Sequence, residues 1–222
     1  MAHLGAGRLC GASRISRRAR EGQQCLYFGL NEPPALSIDA GDQIGLDFSG
    51  LVERGQIQVL WQPALEESLD VLAYNLLAAV KERSVKRLVI DGLDALDDIN
   101  MYAERIPWFF TALMGELRSI GVTTISAIEL NSIFGPVANI PIEGISARVE
   151  TIVFLRSVEL RSVELRSEFR RIISILKSRR SGHEGLIREF KISDEGIKVG
   201  DKFELAEGLL TGVARTLRDI TN

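Results

Sequence analysis

Residues 85–94 constrain the fold of this chain more than any other segment. They contain a short apolar run, Leu88-Val-Ile90, which ends abruptly at an acid, Asp91. Because the apolar residues do not alternate with polar ones, the pattern favours a strand covered on both faces, as in a parallel sheet. A carboxylate at the end of such a strand lies at the sheet edge where open α/β folds bind ligands. The segment therefore predicts an α/β fold with a site beside Asp91.

An apolar strand that ends in aspartate has the form of a Walker B strand, whose Asp helps to hold Mg²⁺ on a bound nucleotide. The partner motif, G-x-x-x-x-G-K-[ST], would lie upstream and is not found there. No Gly-Lys dipeptide occurs anywhere in the 222 residues. The sequence thus carries one half of a nucleotide-binding signature without the usual other half.

Composition limits the class of protein. The chain is 45% hydrophobic, which is enough for one large domain with a substantial core. The formal net charge is −3, so no global basic field attracts nucleic acid, and no nucleic-acid partner is expected. No apolar run approaches the roughly 20 residues that span a bilayer, and the basic N-terminus lacks the apolar core of a secretory signal. Cys10 and Cys25 have no metal-binding spacing and are expected to be reduced thiols in a cytoplasmic protein.

Predicted strands and helices alternate along the first two-thirds of the chain. The strands are Cys25–Leu30, Ile57–Trp61, the segment that ends at Asp91, and Val122–Ile128; the helices are Glu66–Arg83 and Pro107–Ile120. The first of these helices has one apolar face, formed by Leu69, Leu72, Leu76, Leu77 and Val80. Such alternation implies βαβ units and a mostly parallel sheet.

The last third has a different pattern. Thr151–Leu155 and Arg171–Leu176 are predicted strands joined by a polar connection, and 190–199 is predicted to form a hairpin. The connection holds a tandem repeat, in which Arg156-Ser-Val-Glu-Leu160 is followed by an identical Arg161-Ser-Val-Glu-Leu165. We expect this small duplication to lie in a solvent-exposed hairpin loop, where insertions are best tolerated.

Two groups of polar residues are candidates for chemistry. Glu32, Asp91 and Glu129 follow three predicted strands, and parallel strands bring their carboxyl ends to one edge of the sheet. The alternative is that these acids only mark where the chain re-enters solvent. The second group alternates along an extended segment and could place four side chains on one face toward a polyphosphate: Lys177, Arg179, Ser181 and His183. Its alternative is a solvated basic strand end.

Six stretches, taken together, resemble the KaiC family of RecA-like ATPases. They are Leu26–Pro34, Leu88–Leu96, Gly121–Thr124, Glu150–Arg156, Ile175–His183, and Ile187–Phe190 with Gly196–Gly200. Their order and spacing match the family from about Cys25 to Phe203. The resemblance implies a three-layer RecA-like α/β fold, in which C-terminal antiparallel strands and a hairpin extend a mostly parallel central sheet.

The resemblance also implies roles for individual residues. Asn31-Glu32 stands where the family has paired catalytic acids, so the first acid is an amide here, and Glu32 would orient or deprotonate the attacking water. Asp91 matches the Walker B aspartate and would position Mg²⁺. Lys177 and Arg179 match basic residues that reach a nucleotide held by a neighbouring subunit.

ATP and Mg²⁺ are the implied cofactors, with Asn31, Glu129, Ser181 and His183 as further nucleotide-binding candidates. A hexamer-type homo-oligomeric ring and a signalling protein are the implied partners.

The N-terminal segment departs from the family. Gly5-Ala-Gly7 is similar to the tail of a phosphate loop, but Arg8 and Leu9 stand where Lys and Ser/Thr belong. Residues 9–18 are read as lacking the apolar helix that should follow. We therefore expect residues 1–24 to be a degenerate or disordered segment in place of the phosphate loop, 25–204 to be the KaiC/RecA-like domain, and 205–222 to be a helical tail.

Three functions are compatible with the sequence. The first is a KaiC-like ATPase with signalling or regulatory function, impaired because the Walker A motif is lacking. The second is a non-catalytic assembly or regulatory module of the same fold, or the product of a truncated or frameshifted gene. The third is a DNA-binding recombinase relative, which the slightly acidic chain and the lack of a basic stripe with interleaved aromatic residues disfavour.

Overall fold

The structure is a computed structural model that describes residues 6–63, 69–96, 105–129, 145–161, 167–179, 182, 185–202 and 213–214. The helices are α1 (Ala6–Arg20), α2 (Pro34–Gln43), α3 (Phe48–Glu53), α4 (Leu69–Glu82), α5 (Ile106–Ser119) and α6 (Ile145–Arg148). The strands are β1 (Cys25–Gly29), β2 (Ile57–Trp61), β3 (Arg87–Asp91), β4 (Thr123–Ala127), β5 (Thr151–Arg161), β6 (Ser167–Ser178), β7 (Ile187–Ser193), β8 (Gly196–Lys202) and β9 (Val213–Ala214). Among the residues that the structure describes, no helix has the length and apolar character needed to cross a membrane.

The contacts divide the chain into two compact units. The first contains the six helices and a four-stranded parallel sheet in the order β2-β1-β3-β4, with α1 packed on all four strands. The second contains a five-stranded sheet in the order β8-β7-β6-β5-β9. The predicted RecA-like α/β class with a parallel sheet is confirmed. Among the strands that the structure describes, the antiparallel ones pair in a sheet of their own, so the expected extension of the parallel sheet is not seen there.

The core of the first unit explains why the sequence predicts its apolar strands. All five residues of β1 are buried, and so are the last four of β3. Unbroken apolar strands of this kind need cover on both faces. Helix α4 buries Leu72, Leu76 and Val80 as predicted, with Leu77 only partly covered. Helix α5 begins one residue before Pro107, which occupies its first turn as predicted.

Helix α1 corrects the expectation for the N-terminal segment. Residues 9–18 do form a helix, and its apolar residues Leu9, Ala12, Ile15 and Ala19 are buried against the parallel sheet. Their spacing of three and four residues places them on one face, whereas arginines such as Arg14 and Arg17 face solvent. The helix is hard to recognise in the sequence because two of its buried residues are alanines and its arginines obscure the apolar period. Helix α1 belongs to the same compact unit as β1.

The second unit lengthens the predicted hairpin. Strands β5 and β6 pair from Thr151↔Ser178 to Arg161↔Ser167, so the first copy of the repeat is part of a strand and not of a loop. Val and Leu in each copy are compatible with a strand, whereas the charged residues favour a loop, which is why the pattern alone predicts the wrong structure here. Residues 162–166, which hold the rest of the second copy, lie outside the described residues. The predicted hairpin is confirmed as β7 and β8.

The predicted helical tail is described at only two residues. Val213–Ala214 form β9, a short strand that pairs in parallel with Glu159–Leu160 of β5. These two residues are therefore extended and not helical. The remainder of 205–222 lies outside the described residues.

Candidate nucleotide site at the carboxyl edge of the parallel sheet

The four parallel strands end in one row. Gly29 of β1 is in register with Trp61 of β2 and with Asp91 of β3, and Asp91 is in register with Ala127 of β4. Helix α1 begins at this same edge, because a Cβ placed on Gly7 would lie 3.7 Å from the Cβ of Ala127. The row brings the segments that follow β1, β3 and β4 together with the first turn of α1. This is the edge at which open α/β sheets bind ligands.

Asp91 is the buried centre of this edge. Its side chain is only 7% exposed, and its Oδ2 accepts a hydrogen bond of 2.8 Å from the hydroxyl of Tyr27. Burial raises the pKa of Asp91, while the charge of Arg8 and the hydrogen bond from Tyr27 oppose that rise. Burial also raises the pKa of Tyr27, so its hydroxyl keeps its proton and remains a donor. The carboxylate is therefore held by partners from two other elements.

Arg8 supplies the positive charge of the site. It lies in the first turn of α1, and its side chain is only 10% exposed. Its Nε lies 2.8 Å from Oδ2 of Asp91, and its Nη1 donates a hydrogen bond to Oε2 of Glu32. The Nε–H is not directed at the Asp91 oxygen, so that contact is an ion pair without hydrogen-bond geometry. Burial lowers the pKa of Arg8, but attraction to Asp91 and Glu32 outweighs this effect and leaves the pKa raised. One guanidinium thus joins two of the three predicted acids, Asp91 and Glu32.

The chain after β1 places Asn31 and Glu32 beside this centre. The side chain of Glu32 is 36% exposed, so it lies at the rim of the site. The Asn31 side-chain amide donates a hydrogen bond of 3.0 Å to Oδ2 of Asp94. Gly92 has φ +84°, and a Cβ there would lie 2.8 Å from Cγ of Asn31. A glycine after Asp91 therefore allows the two segments to approach closely.

Glu129 reaches the same edge by a different contact. Its backbone N–H donates a hydrogen bond of 3.0 Å to Oδ1 of Asp94, and its side chain is exposed. The three predicted acids are thus brought to one edge, but only Glu32 shares Arg8 with Asp91. Sequence reasoning missed Arg8 as their partner, and it also missed Tyr27 and Asp94. Asp94 lies in the segment 85–94 and could have been found there as a second acid after β3.

The basic candidates belong to the second unit. Lys177 lies near the end of β6, and the backbone N–H of Arg179, just after that strand, donates a hydrogen bond of 3.0 Å to the carbonyl oxygen of Glu150. Partial desolvation lowers the pKa of Lys177, and the nearby charge of Arg179 lowers it further. Arg179 is exposed. Ser181 and His183 lie outside the described residues.

The residues at the edge do not fit a Mg²⁺-nucleotide site of the ordinary kind. A P-loop site holds the metal through a Ser/Thr hydroxyl and an acid, and it uses a Lys on the phosphates. Leu9, which by resemblance stands where that Ser/Thr belongs, offers no hydroxyl, and the residue is only 3% exposed. Asp91 and Glu32 are both already paired with Arg8. Among the described residues there is also no group of three or more His, Cys, Asp or Glu side chains that could hold a metal ion.

Comparison with known proteins agrees with this geometry at the level of the family. A family model described as "ATPase: KaiC" matches residues 9–204. A similar curated protein, "Circadian clock protein KaiC3" of Synechocystis sp., is 26% identical over 191 residues, which are 86% of this chain and 36% of that relative. "Circadian clock oscillator protein KaiC" of Thermostichus vulcanus is 26% identical over 198 residues, which are 87% of this chain and 36% of the relative. The chain therefore spans about a third of the length of these relatives.

Proposed function

The chain belongs to the KaiC family of RecA-type ATPase domains, and from this premise we propose that it acts as a KaiC-like regulatory module whose own ATP hydrolysis is impaired. The observation that carries the proposal is the position of Arg8. By resemblance, Arg8 stands where the phosphate-loop Lys belongs. Its guanidinium forms ion pairs with Asp91 and Glu32, and the Arg8 side chain is buried at that position. A residue that would neutralise phosphate oxygens instead neutralises the carboxylates of its own chain.

In this arrangement, each group that ATP hydrolysis requires is either missing or already paired with another residue. A general base must accept a proton from the attacking water, and Glu32 instead accepts a hydrogen bond from Arg8. The Asn31 amide cannot take a proton in its place, and it is bonded to Asp94. A Mg²⁺ ion would need the hydroxyl that Leu9 lacks. The planar Arg head is also a poor substitute for the compact ammonium of Lys. ATP and Mg²⁺ would therefore bind weakly or not at all.

Phosphate release from ATP tests the impairment. The purified chain is compared with Asp91→Asn, in which the acid that would position Mg²⁺ is lost. We expect both to release phosphate at the same background rate. A wild-type rate that exceeds the Asp91→Asn rate by about tenfold, equivalent to about 1.4 kcal/mol in barrier height, would contradict the proposal.

Assembly with other copies is the second part of the proposed function. We propose a homo-oligomer in which Lys177 and Arg179 contact a neighbouring copy. Two observations support this surface: Arg179 is exposed, and Lys177 lies two residues before it at the end of β6, so two positive charges are held near each other. Like charges held together on a surface favour an acidic partner.

The oligomer is tested by charge reversal. Sedimentation of the double variant Lys177→Glu, Arg179→Glu is compared with Lys198→Glu, a single reversal of an exposed lysine on β8 of the same sheet. We expect the double variant to dissociate and Lys198→Glu to sediment like the wild type. Equal sedimentation of the wild type, the double variant and Lys198→Glu would show that Lys177 and Arg179 are not part of the interface.

A further inference from the structure

The contacts of Arg8 have the arrangement of a bound cation and its ligands. Asp91 and Glu32 come from different segments, and one guanidinium contacts an oxygen of each. The Tyr27 hydroxyl donates to the same Asp91 oxygen that Arg8 Nε approaches. Asp91 is nearly enclosed, so its negative charge requires a partner that stays in place.

A divalent cation cannot share these ligands with Arg8. Mg²⁺ requires oxygen ligands at about 2.0–2.1 Å in near-octahedral geometry. The Asp91 oxygen Oδ2 already has a guanidinium nitrogen at 2.8 Å and a hydroxyl at 2.8 Å. A metal on that oxygen would lie beside the positive charge of Arg8, and in a site shielded from water this repulsion is strong. The ion and the guanidinium are therefore alternatives.

The backbone of Arg8 is held at this place by the rest of α1. The next residue, Leu9, is buried, and a Cβ on Gly11 would lie only 3.0 Å from Cγ1 of Val89. Glycine at position 11 therefore lets the helix lie close to β3, the strand that ends at Asp91. If the Arg8 side chain turned away, Asp91 would remain buried without a counter-ion, which is strongly unfavourable.

We propose that Arg8 is the resident counter-ion of the Asp91–Glu32 carboxylate pair, that it stands where a divalent cation would bind, and that the fold of this unit is consequently independent of Mg²⁺. The inference deepens the proposed function and rests on it, since both concern the same edge. Its test uses metal without nucleotide, so its failure is distinguishable from the failure of the proposed impairment, which is measured with ATP.

Urea unfolding of the full chain with and without millimolar Mn²⁺ is the first test. The wild-type midpoint should not respond to the metal. Arg8→Met should unfold at a lower urea concentration, and Mn²⁺ should restore part of the loss. A ligand that binds only the folded state raises the folding equilibrium constant about tenfold at about ten times its dissociation constant. Glu32→Gln added to Arg8→Met should remove the response. Arg14→Met, which changes an exposed arginine on the same helix, is the matched control and should behave like the wild type.

The second test does not depend on whether Arg8→Met folds. Electron paramagnetic resonance counts the Mn²⁺ ions bound by the wild type and by Glu32→Gln. Equal counts are expected, because Arg8 already occupies the pair and any bound ions lie elsewhere. One additional ion on the wild type would overturn the proposal. A well-folded Arg8→Met variant whose stability ignores Mn²⁺ would overturn it as well.

Discussion

Tyr27 and Asp91 join the two central strands of the parallel sheet through a hydrogen bond of 2.8 Å between the hydroxyl and Oδ2. Tyr27 is fully buried, and its ring also packs edge-on against Phe48 at a centroid distance of 5.9 Å. The bond fixes the acid at the end of β3 relative to a rigid part of the core. The orientation of Asp91 therefore depends on a residue that no nucleotide-binding motif would name.

Replacing Tyr27 by Phe removes this bond and keeps the ring. We expect Tyr27→Phe to lower the free energy of unfolding by about 1.5 kcal/mol, because a buried carboxylate loses a donor while Arg8 remains. Urea denaturation measures the change. The control is Tyr74→Phe on α4, whose side chain is 73% exposed and whose substitution should change stability by less than about 0.5 kcal/mol. If the two variants lose equal amounts, the bond does not stabilise the fold.

The parts of the fold that the sequence predicted are those determined by a local pattern. The apolar run before Asp91 and the period of α4 are visible in any window of ten residues, and both elements formed as expected. Glu32 and Asp91 could be assigned to one edge because parallel strands align their carboxyl ends. These predictions required no knowledge of which side chains meet.

The parts that were missed depend on contacts between distant segments or on a weak apolar period. Helix α1 was missed because Ala12 and Ala19 contribute little hydrophobicity, yet small residues allow the helix to lie close to β3. The ion pair of Arg8 with Asp91 could not be predicted, since a sequence shows charges but not which charge is buried with which. The sequence shows that Arg8 stands where the resemblance places a phosphate-loop Lys. The contact that Arg8 makes with Asp91 instead is visible only in the structure.

Cys25 gives a prediction for alkaline pH. Burial raises the pKa of its thiol from 9.0 to about 11. The folded state therefore holds the proton more tightly than the unfolded state, so this contribution to stability is complete below pH 9 and is lost as the pH rises through about 11. We expect the thiol to account for a decrease of about 2–3 kcal/mol over this range.

The difference between the wild type and Cys25→Ala isolates this contribution. Unfolding free energies measured across the alkaline range should converge as the pH rises, because only the wild type has the thiol to titrate. Cys10→Ala is the companion variant, and it should keep the Cys25-dependent decrease. If the difference in unfolding free energy between the wild type and Cys25→Ala stays constant from neutral to alkaline pH, the assigned pKa is contradicted.

Removal of one copy of the repeat tests the tolerance of the β5–β6 hairpin. Deleting residues 161–165 leaves Arg156–Leu160 intact and leaves Leu160 opposite Glu168, its partner in the present register. Loop closure entropy changes slowly with length, so the free energy of unfolding should change by less than about 1 kcal/mol. Thermal or urea unfolding measures it.

A buried position in the same sheet shows whether the assay reports on this unit. Ile172 of β6 is 4% exposed, and Ile172→Ala should cost about 2–5 kcal/mol. A deletion that costs as much as Ile172→Ala would show that the second copy of the repeat contributes to packing.

Titration with a fluorescent ATP analogue in the presence of Mg²⁺ tests the central claim most directly. In the folded wild-type chain, Arg8 neutralises Asp91 and Glu32, and Leu9 supplies no hydroxyl for the metal. We predict no saturable binding in the micromolar range, with cooperative urea unfolding of the same sample as the control for a folded protein. Micromolar binding that disappears in Asp91→Asn would contradict the account, because it would show a working phosphate and metal site at this edge.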